Sequence, residues 1–512
     1  MTQCILALDL GTTGNRALVF DRKQNILSSE YEEFPQIFPK PGWVEHDPEK
    51  IWQSTRQLLA KTFRRIPARR ISAIGVTNQR ETVLLWDKKT GRPVHNAIVW
   101  QCRRTAPFCE ALKKMGHEKK IHAKTGLFLD AYFSASKIAW LLDHVKGARS
   151  RAEKGELLAG TIDSWAVWNL TGGRSHVTDT SNASRTMLFN LNTLSWDDGL
   201  CNLFRVPKKI LPTVIPSAAS VHGRPQGAPL QRLSLDARLF GHSIPITGII
   251  GDQQAASFAQ GCFEPGIIKN TYGTGLFMLE NTGKRPRFSK DLLTTVAWSL
   301  GSLKDTEYAV EGSVFIGGAA IQWLRDGLKI ISNAKESMAL AKQIPSNEGV
   351  YFVPALVGLG APYWDPNARG TFVGITRGTG RAHFARAALE AIAYQTRDIL
   401  EVMKKDTRQV FKLLRVDGRA SANDFLMQFQ ADILGIPVER PGILETTALG
   451  AAGLAGIASG FWRSRNDFSR LRKIQKVFHP KPHFTRERTL LYERWKEAVR
   501  RAQRWNQPTE YC

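Results

Sequence analysis

The sequence predicts an α/β protein made of two similar halves that face each other across a cleft. Three observations support this interpretation. The chain has 512 residues, which is more than one ordinary hydrophobic core requires. Apolar runs with β character alternate with longer amphipathic segments, as in α/β folds. A strand–turn–strand pattern near the beginning also recurs in the second half of the chain.

The repeated unit is a hairpin with a turn rich in glycine and threonine. The first hairpin comprises a strand at 4–10, a turn at 11–14 and a strand at 16–21, and the second comprises 267–272, 273–275 and 276–280. Other predicted elements are strands at 71–77 and 82–87 and helices at 135–145 and 381–405. With one hairpin at the start of each half, we expect the two turns to lie on opposite sides of the cleft.

We place the boundary between the halves just before the second hairpin, within residues 254–265. The expected organisation is a first domain at 1–255, a second domain at 256–462 and a basic C-terminal tail at 463–512. The tail is set apart because Lys and Arg far outnumber Asp and Glu in it.

Composition excludes several classes of protein. The hydrophobic share of 43% and charged share of 23% are those of a globular protein. No apolar stretch is long enough for a membrane span, because the longest, 448–462, is short and contains four glycines. The N-terminus has no signal-peptide pattern. Six scattered cysteines without a close Cys-x-x-Cys pair favour neither zinc nor a disulfide scaffold, and a cytoplasmic location fits best.

The formal net charge of +25 allows two interpretations. One is a surface for nucleic acid or an anionic membrane. The other is an arginine-rich, solvated exterior. We favour the exterior and expect no nucleic-acid partner, because no aromatic–basic binding motif accompanies the charge.

The first turn carries residues suited to phosphate. Glycines allow a tight turn with N–H groups close to phosphate oxygens, and the hydroxyls of Thr12 and Thr13 add donors beside Gly14. Asp9 at the strand end could hold Mg²⁺, directly or through water, and Arg16 could neutralise phosphate charge.

The second turn, with Thr274, has the same chemistry. Either turn alone is equally compatible with an ordinary hairpin, whereas the pair is more specific. The Gly-x4-Gly-Lys-Ser/Thr motif of P-loop kinases is absent.

Two further motifs suit a hydroxylated substrate. Asp252 follows an apolar run and precedes a predicted helix, where a carboxylate is held firmly enough to act as a general base. The alternative is a helix N-cap. Arg80 and Glu81, adjacent on one loop, can donate to and accept from vicinal hydroxyls, or can form an ordinary surface ion pair.

Longer motifs in the correct order resemble the FGGY family of carbohydrate kinases over about residues 4 to 462. They are Tyr132-Phe133-Ser134-Ala135-Ser136-Lys137-Ile138-Ala139-Trp140-Leu141-Leu142, Gly358-Leu359-Gly360-Ala361-Pro362-Tyr363-Trp364-Asp365-Pro366, the pair 370–375 and 383–390, and Leu414-Arg415-Val416-Asp417-Gly418. The resemblance implies two actin-like, RNase H-like ATPase domains flanking a central cleft. The motifs at 78–81 and 251–255 are similar to those of the branch that acts on glycerol.

The resemblance also implies the activity and its residues. The expected reaction is ATP-dependent phosphorylation of glycerol to sn-glycerol 3-phosphate in glycerol catabolism, with ATP and Mg²⁺ as cofactors, Asp252 as general base and a homodimer or homotetramer as the assembly. The expected glycerol contacts are Arg80, Glu81, Trp100, Tyr132, Asp252, Gln253 and Phe277. The expected nucleotide contacts are Thr12, Thr13, Gly14, Arg16, Thr274, Gly318, Gln322, Arg419 and Asn423, with Asp9 at the metal. Without the resemblance, Trp100 would be read as a core aromatic, and Asn423 equally as a helix-start residue.

Two positions depart from the family pattern and keep rival hypotheses open. The family's usual Thr-Thr-Ser-Ser-Arg reads Thr-Thr-Gly-Asn-Arg here, so Gly14 lacks a hydroxyl, and Arg419 replaces a second glycine after Asp417. The rivals are a kinase of the same family for another polyol or sugar, and a weakened, non-catalytic regulatory homologue.

Overall fold

The computed structural model describes residues 2–218 and 233–505. Its strands are β1 (Cys4–Leu10), β2 (Gly14–Phe20), β3 (Ile26–Glu33), β4 (Glu45–His46), β5 (Ile71–Asn78), β6 (Val83–Asp87), β7 (Ala97–Ile98), β8 (Leu157–Thr161), β9 (Val177–Asp179), β10 (Phe189–Asn190), β11 (Ser195–Trp196), β12 (Thr213–Ile215), β13 (Ile246–Gly251), β14 (Ile267–Tyr272), β15 (Leu276–Gly283), β16 (Leu293–Ser299), β17 (Thr306–Val314), β18 (Tyr351–Val353), β19 (Thr371–Val373), β20 (Leu413–Asp417), β21 (Val438–Pro441) and β22 (Ile474–Phe478).

The helices are α1 (Pro48–Arg65), α2 (Ala106–Lys114), α3 (Glu118–Thr125), α4 (Ser134–His144), α5 (Ala148–Lys154), α6 (Ile162–Leu170), α7 (Thr180–Ala183), α8 (Asp198–Leu203), α9 (Ala237–Phe240), α10 (Asp252–Ala259), α11 (Ala319–Asp326), α12 (Ala334–Ala341), α13 (Arg381–Thr407), α14 (Asp424–Leu434), α15 (Thr446–Ala458), α16 (Arg465–Arg470) and α17 (Thr485–Ala502). The predicted hairpins and the predicted helices at 135–145 and 381–405 are confirmed to within two residues at each end, except that β15 runs three residues past its predicted end.

Two sheets built on the same plan form the two lobes, and they confirm the α/β prediction. In the first, the strand order is β13-β5-β1-β2-β3, with an antiparallel β1–β2–β3 meander extended by the parallel strands β5 and β13. In the second, β14, β15 and β17 form the equivalent meander, and β20 and β21 are the parallel strands beside β14. The repeated hairpin seen in the sequence is therefore the start of a repeated sheet.

A helix from late in the chain completes the first lobe. Glycine positions bring α15 into close contact with β5, β13 and α10. A Cβ atom on Gly450 would lie 1.8 Å from the carbonyl oxygen of Ala255, and one on Gly75 would lie 2.1 Å from that of Ala451. The apolar cluster beneath α15 also includes Trp298 of the second sheet. The two lobes therefore share a core on one side, while α10 begins at the cleft with Asp252 as its first residue.

The segment set apart as a basic tail takes part in the second lobe. β22 pairs with β21 at the edge of the second sheet, and Trp495 of α17 is buried in the core of the lobe. The Trp495 ring stacks on Tyr394 at 5.2 Å between centroids, and its Nε1 donates to Asp398 Oδ2 at 2.9 Å. Most basic residues of this segment thus lie on the outer surface of a packed element, whereas Arg472 is nearly buried against Glu439 and Gln260. Residues 506–512, including Cys512, lie outside the described residues.

Cys4, Cys102, Cys109, Cys201 and Cys262 are buried and unpaired. Within residues 2–218 and 233–505, no helix is both long and apolar enough to cross a bilayer.

We expect Trp495→Ala to lower the free energy of unfolding of the second lobe by about 3–5 kcal/mol, because it removes a buried indole and leaves a cavity. Trp505→Ala is the matched control, since that ring is 70% exposed. Urea denaturation followed by circular dichroism measures both. Equal stabilities of the two variants would contradict the packing described for α17.

Candidate active site

A cavity of about 130 Å³ lies between the lobes, and all seven residues of the predicted polyol site line it. It is lined by Thr12, Arg80, Glu81, Trp100, Tyr132, Asp252, Gln253, Thr274, Gly275 and Phe277. The threonines of both hairpin turns face this one space, as the repeat predicted. Its volume is far below the roughly 300–1,000 Å³ of pockets for drug-sized ligands, which suits a small substrate. A larger groove beside α1 and α9, about 440 Å³, contains no carboxylate.

The carboxylate of Asp252 is the acidic group at the end of β13 that points into this cavity. Its Oδ1 accepts a hydrogen bond from its neighbour's backbone, Gln253 N–H, at 2.7 Å and lies 3.1 Å from Arg80 Nε. Burial raises the pKa of Asp252, while Arg80 and Lys269 oppose the rise. The capping position belongs to Gly251, one residue earlier. Asp252 is thus a partly exposed carboxylate, fixed at a helix start and suited to accept a proton.

Arg80 and Glu81 do not form the surface ion pair that the sequence left open. They follow β5 at the cleft, and each side chain is only 2% exposed. Glu81 has a φ of 61°, in the left-handed region of the backbone. Residues other than glycine rarely adopt this conformation, and those that do are concentrated at functional sites. The Glu81 backbone carbonyl accepts from Ser134 Oγ at 2.9 Å, which anchors the loop to α4.

Two charged residues that the sequence analysis missed hold this pair. Glu311, on β17 of the second lobe, accepts from Arg80 Nη1 at 2.5 Å and Nη2 at 3.0 Å. Arg185, after α7, donates to Glu81 Oε1 at 2.7 Å and to Glu311 Oε1 at 3.1 Å. Burial alone would raise the pKa of Glu311, but Arg185 and Arg80 outweigh it and lower the value to about 2. Glu311 is therefore a permanent anion.

A buried lysine orients Gln253. Lys269 Nζ, on β14, donates to Gln253 Oε1 at 2.7 Å. Because an ammonium group can only donate, the amide oxygen of Gln253 must face Lys269. The amide NH₂ group is then left to donate to an oxygen of a molecule in the cavity.

Aromatic rings form the apolar wall of the cavity. Trp100 lies edge-on to Tyr132 at 5.7 Å and to Phe277 at 6.1 Å between centroids. Trp100 Nε1 donates to Thr12 Oγ1 at 3.0 Å, so this ring contacts the first hairpin turn as well as the apolar cluster of the first lobe. Phe277 comes from the second lobe, and the wall thus closes across the cleft.

The side chains of Asp9, Arg16 and Tyr31 form a row across β1, β2 and β3 on one face of the first sheet. Arg16 pairs with Glu445 at the start of α15, and its guanidinium lies 5.0 Å from the centroid of the Tyr31 ring. Burial raises the pKa of Asp9 to about 7; Asp252 and Glu445 add to the rise and Arg16 opposes it. This face therefore gathers carboxylates around one arginine beside the first turn.

Close contacts from β3 account for the glycine that departs from the family pattern. A Cβ atom on Gly14 would lie 2.6 Å from the carbonyl oxygen of Glu32 and 2.9 Å from the phenol oxygen of Tyr31. The backbone carbonyl of Glu32 is the nearer obstacle to a side chain at position 14, and the Tyr31 ring is a second one.

The second turn is joined to the predicted nucleotide segments. The backbone N–H groups of Gly317 and Gly318 donate to the carbonyls of Thr274 and Gly273, each at 2.8 Å. A Cβ atom on Gly318 would also lie 3.9 Å from that of Ala420, in the 3-10 turn Arg419–Ala422. The turn, the start of α11 and the residues after β20 therefore meet in one place.

The remaining predicted nucleotide residues lie on this side of the second lobe or at the first turn. Asn423 is the N-cap of α14 and accepts from Leu426 N–H at 3.0 Å, which bears out the helix-start interpretation and leaves its role toward adenine a prediction. Arg419, Gln322 and Thr13 are exposed. Arg419 is directed to solvent and does not fill the space beside the second turn.

The donor set of the cleft suits Mg²⁺ only together with phosphate oxygens. The described residues contain no group of three or more His, Cys, Asp or Glu that would hold a metal alone. Asp9 has other carboxylates nearby and a raised pKa, so a cation would relieve repulsion there. A single carboxylate with phosphate and water ligands is a usual arrangement for magnesium.

Sequence reasoning overlooked Arg185, Lys269, Glu311, Tyr31 and Glu445. A signal existed for two of them, because Lys269 and Glu311 are charged residues inside strands that otherwise read as buried. Such residues are rarely buried without a partner.

Comparison with known proteins identifies the family. Sequence descriptions of the FGGY family of carbohydrate kinases match residues 4–259 with the N-terminal domain and residues 268–459 with the C-terminal domain.

Individual relatives match over nearly the whole length. Glycerol kinase 2 of Thermotoga maritima is 56% identical over 504 residues, 98% of this chain and 99% of that protein. Glycerol kinase of Caldanaerobacter subterraneus subsp. tengcongensis is 55% identical over 508 residues, 99% of each. The crystal structure of Plasmodium falciparum glycerol kinase with ADP superposes with a TM-score of 0.89 at 35% identity, covering 98% of both chains. The chain with the two repeated sheets and the cleft between them belongs to the FGGY family of carbohydrate kinases.

Proposed function

We propose that this protein transfers the γ-phosphate of ATP to a terminal hydroxyl of glycerol, giving sn-glycerol 3-phosphate and ADP, with Asp252 as the general base. The observation that carries the proposal is the small cavity in which Asp252, the Arg80–Glu81 pair and the threonines of both turns converge. The relatives described above, named glycerol kinases at 55–56% identity, support the same substrate.

The cavity can recognise a three-carbon polyol by its polar and apolar sides. The Glu81 carboxylate accepts hydrogen bonds from hydroxyls, while the Arg80 guanidinium and the Gln253 amide donate to their oxygens. The rings of Trp100 and Phe277 pack against the carbon chain. One small molecule is thereby held with a hydroxyl next to Asp252.

Catalysis in this site depends on position and charge. Asp252 accepts the hydroxyl proton as that oxygen attacks the γ-phosphorus in line, and ADP leaves toward the second lobe. Backbone N–H groups of the two turns and Arg16 bind the phosphate oxygens and stabilise charge on the transferring group. Lobe closure excludes water, which would otherwise compete as acceptor.

Asp9 is the residue that would hold Mg²⁺, directly or through water. When bound with ATP, the cation neutralises charge on the β- and γ-phosphates. Arg16 is paired with Glu445 in this structure, so phosphate binding exchanges one partner of Arg16 for another.

A homodimer or homotetramer and a cytoplasmic location are part of the proposal. Buried, unpaired cysteines fit a reducing compartment. The assembly rests on the family resemblance alone, and light scattering of the purified chain measures it.

The rival functions are distinguished by substrate. A kinase for another polyol or sugar would consume ATP with dihydroxyacetone, erythritol or a pentulose in preference to glycerol. A non-catalytic homologue would consume none with any of them. A coupled ADP-release assay across this panel decides between the three.

We expect Asp252→Asn to reduce kcat by about 10²- to 10⁴-fold, because the amide cannot accept the proton, while ATP binding stays nearly unchanged. Asp198→Asn is the matched control, since Asp198 is also the first residue of a helix but 77% exposed. ADP release measures turnover, and calorimetry measures ATP binding. Substantial residual turnover would refute the assignment of the base.

The Glu81→Gln variant should mainly lose affinity for glycerol, because the amide keeps the shape but no longer accepts hydroxyl hydrogens at both oxygens. We expect the glycerol KM to rise about tenfold or more and the ATP KM to stay within about twofold. An unchanged glycerol KM would remove Glu81 from the polyol site.

The pH dependence should follow the raised pKa of Asp252. The base must be ionised, so kcat/KM for glycerol rises with pH through that pKa and is lost on acidification below it. The acidic limb of the pH profile of kcat/KM should therefore lie at a higher pH than it would for an ordinary aspartate, whose pKa is about 3.9. The residual activity of Asp252→Asn should lack this limb, and a limb retained in that variant would assign it to another group.

A further inference from the structure

We infer that Glu311, on the second lobe, is a positioning residue that sets the geometry of the polyol-binding pair Arg80–Glu81 on the first lobe. This inference rests on the proposed function and extends it to a residue across the cleft. Glu311 does not line the cavity, so its effect passes through the side chains that do.

The first step is the location of Glu311. It lies in the middle of β17, which pairs with β15 on one side and β16 on the other in the second sheet. Its side chain is fully buried and ionised at neutral pH, with a pKa of about 2. A buried anion without good partners would be strongly destabilising, so its contacts must be well satisfied.

The second step is what those contacts do to Arg80. Both terminal nitrogens of the Arg80 guanidinium donate to the Glu311 carboxylate, each to a different oxygen. This two-bond geometry fixes the orientation of the guanidinium. In that orientation the remaining nitrogen, Nε, faces Asp252 Oδ1 at 3.1 Å. Without Glu311, Nη1 would keep only Gln254 Oε1, at 3.2 Å, and Nη2 could turn toward Asp252 and neutralise the base more completely.

The third step is the link to Glu81. Arg185 is shared between Glu81 Oε1 and Glu311 Oε1, and its guanidinium lies over the rings of Tyr132 and Phe133 at 5.7 and 5.4 Å. The Arg185 guanidinium thus lies between the two carboxylates and bonds to both. Glu81 keeps one oxygen on Arg185 and turns toward the cavity from a strained backbone conformation.

Charge balance supports the assignment. Arg80 and Arg185 are the buried cations bonded to Glu311, and Glu81 and Asp252 are the other carboxylates next to them. Removing Glu311 takes one negative charge from this group and makes the surroundings of Asp252 more positive. Its loss should therefore weaken polyol binding and the base together, and leave the nucleotide side of the cleft unaffected.

The test compares Glu311→Gln with Glu280→Gln. Glu280 is a fully buried carboxyl on the neighbouring strand β15, lies near Thr407 and Arg287 rather than near Arg80, and does not touch the cavity. Burial raises its pKa to about 8. Both variants change one buried carboxyl in the same sheet to an amide of equal size.

For Glu311→Gln we expect kcat/KM for glycerol to fall about 10- to 100-fold, since a small displacement of binding groups has effects of that size. Glycerol binding measured by calorimetry should weaken with it. The ATP KM should stay within about twofold, and Glu280→Gln should match the wild type in all three. Equal behaviour of the two variants, or an equal loss toward glycerol and ATP, would overturn the inference.

Two further variants cover the case in which Glu311→Gln does not fold. Ser313→Ala removes only the hydroxyl that donates to Glu311 Oε1 at 2.8 Å, and should raise the glycerol KM by a few-fold. Arg185→Lys keeps the charge and loses the shared fork to Glu81 and Glu311, and its effect should not add to that of Ser313→Ala in the double variant. Additive effects, or no change in glycerol KM in Ser313→Ala, would count against the positioning role.

The assay of the wild-type protein tests the proposed function separately from the role of Glu311. If wild type phosphorylates another polyol or sugar instead of glycerol, the proposed substrate is wrong, and the same variants are then assayed with the accepted one. A selective loss toward that molecule would still support the role of Glu311.

Discussion

The buried ion pair between Arg80 and Glu311 joins the two lobes directly behind the polyol cavity. Carrying these charges out of water costs several kcal/mol for each ion, and only close, well-aligned partners offset that cost. The surrounding elements supply them: β17 presents Glu311, the segment after α7 presents Arg185, and the loop after β5 presents Arg80 and Glu81. The arrangement of the cavity follows from this requirement.

The shared apolar core beneath α15 makes such a contact possible. Because α10 and α15 approach each other at glycine, the first sheet, α10 and part of the second sheet pack into one cluster. Asp252 then lies at the start of α10, within reach of both lobes. A catalytic group at this junction experiences the burial that raises its pKa and the cations that limit the rise.

The two positions that depart from the family pattern have structural explanations of different kinds. Gly14 lies against the backbone carbonyl of Glu32 and the phenol of Tyr31, which would be 2.6 and 2.9 Å from a Cβ atom at position 14. Arg419 is exposed, so it leaves the space by the second turn open. Neither observation favours the weakened, non-catalytic homologue over an active kinase.

The sequence by itself determined the two-lobed α/β fold and the hairpins, because glycine turns and strand periodicity are local patterns. The resemblance of its longer motifs to the family then indicated the residues that line the cavity. The sequence did not reveal Glu311, Lys269 or Arg185 as partners of the site, nor that α15 and α17 pack into the lobes as they do. Arg80 and Glu311 are 231 positions apart in the chain. Only tertiary structure decides which buried charges meet, since a charged residue in a strand carries no local sign of the partner that neutralises it.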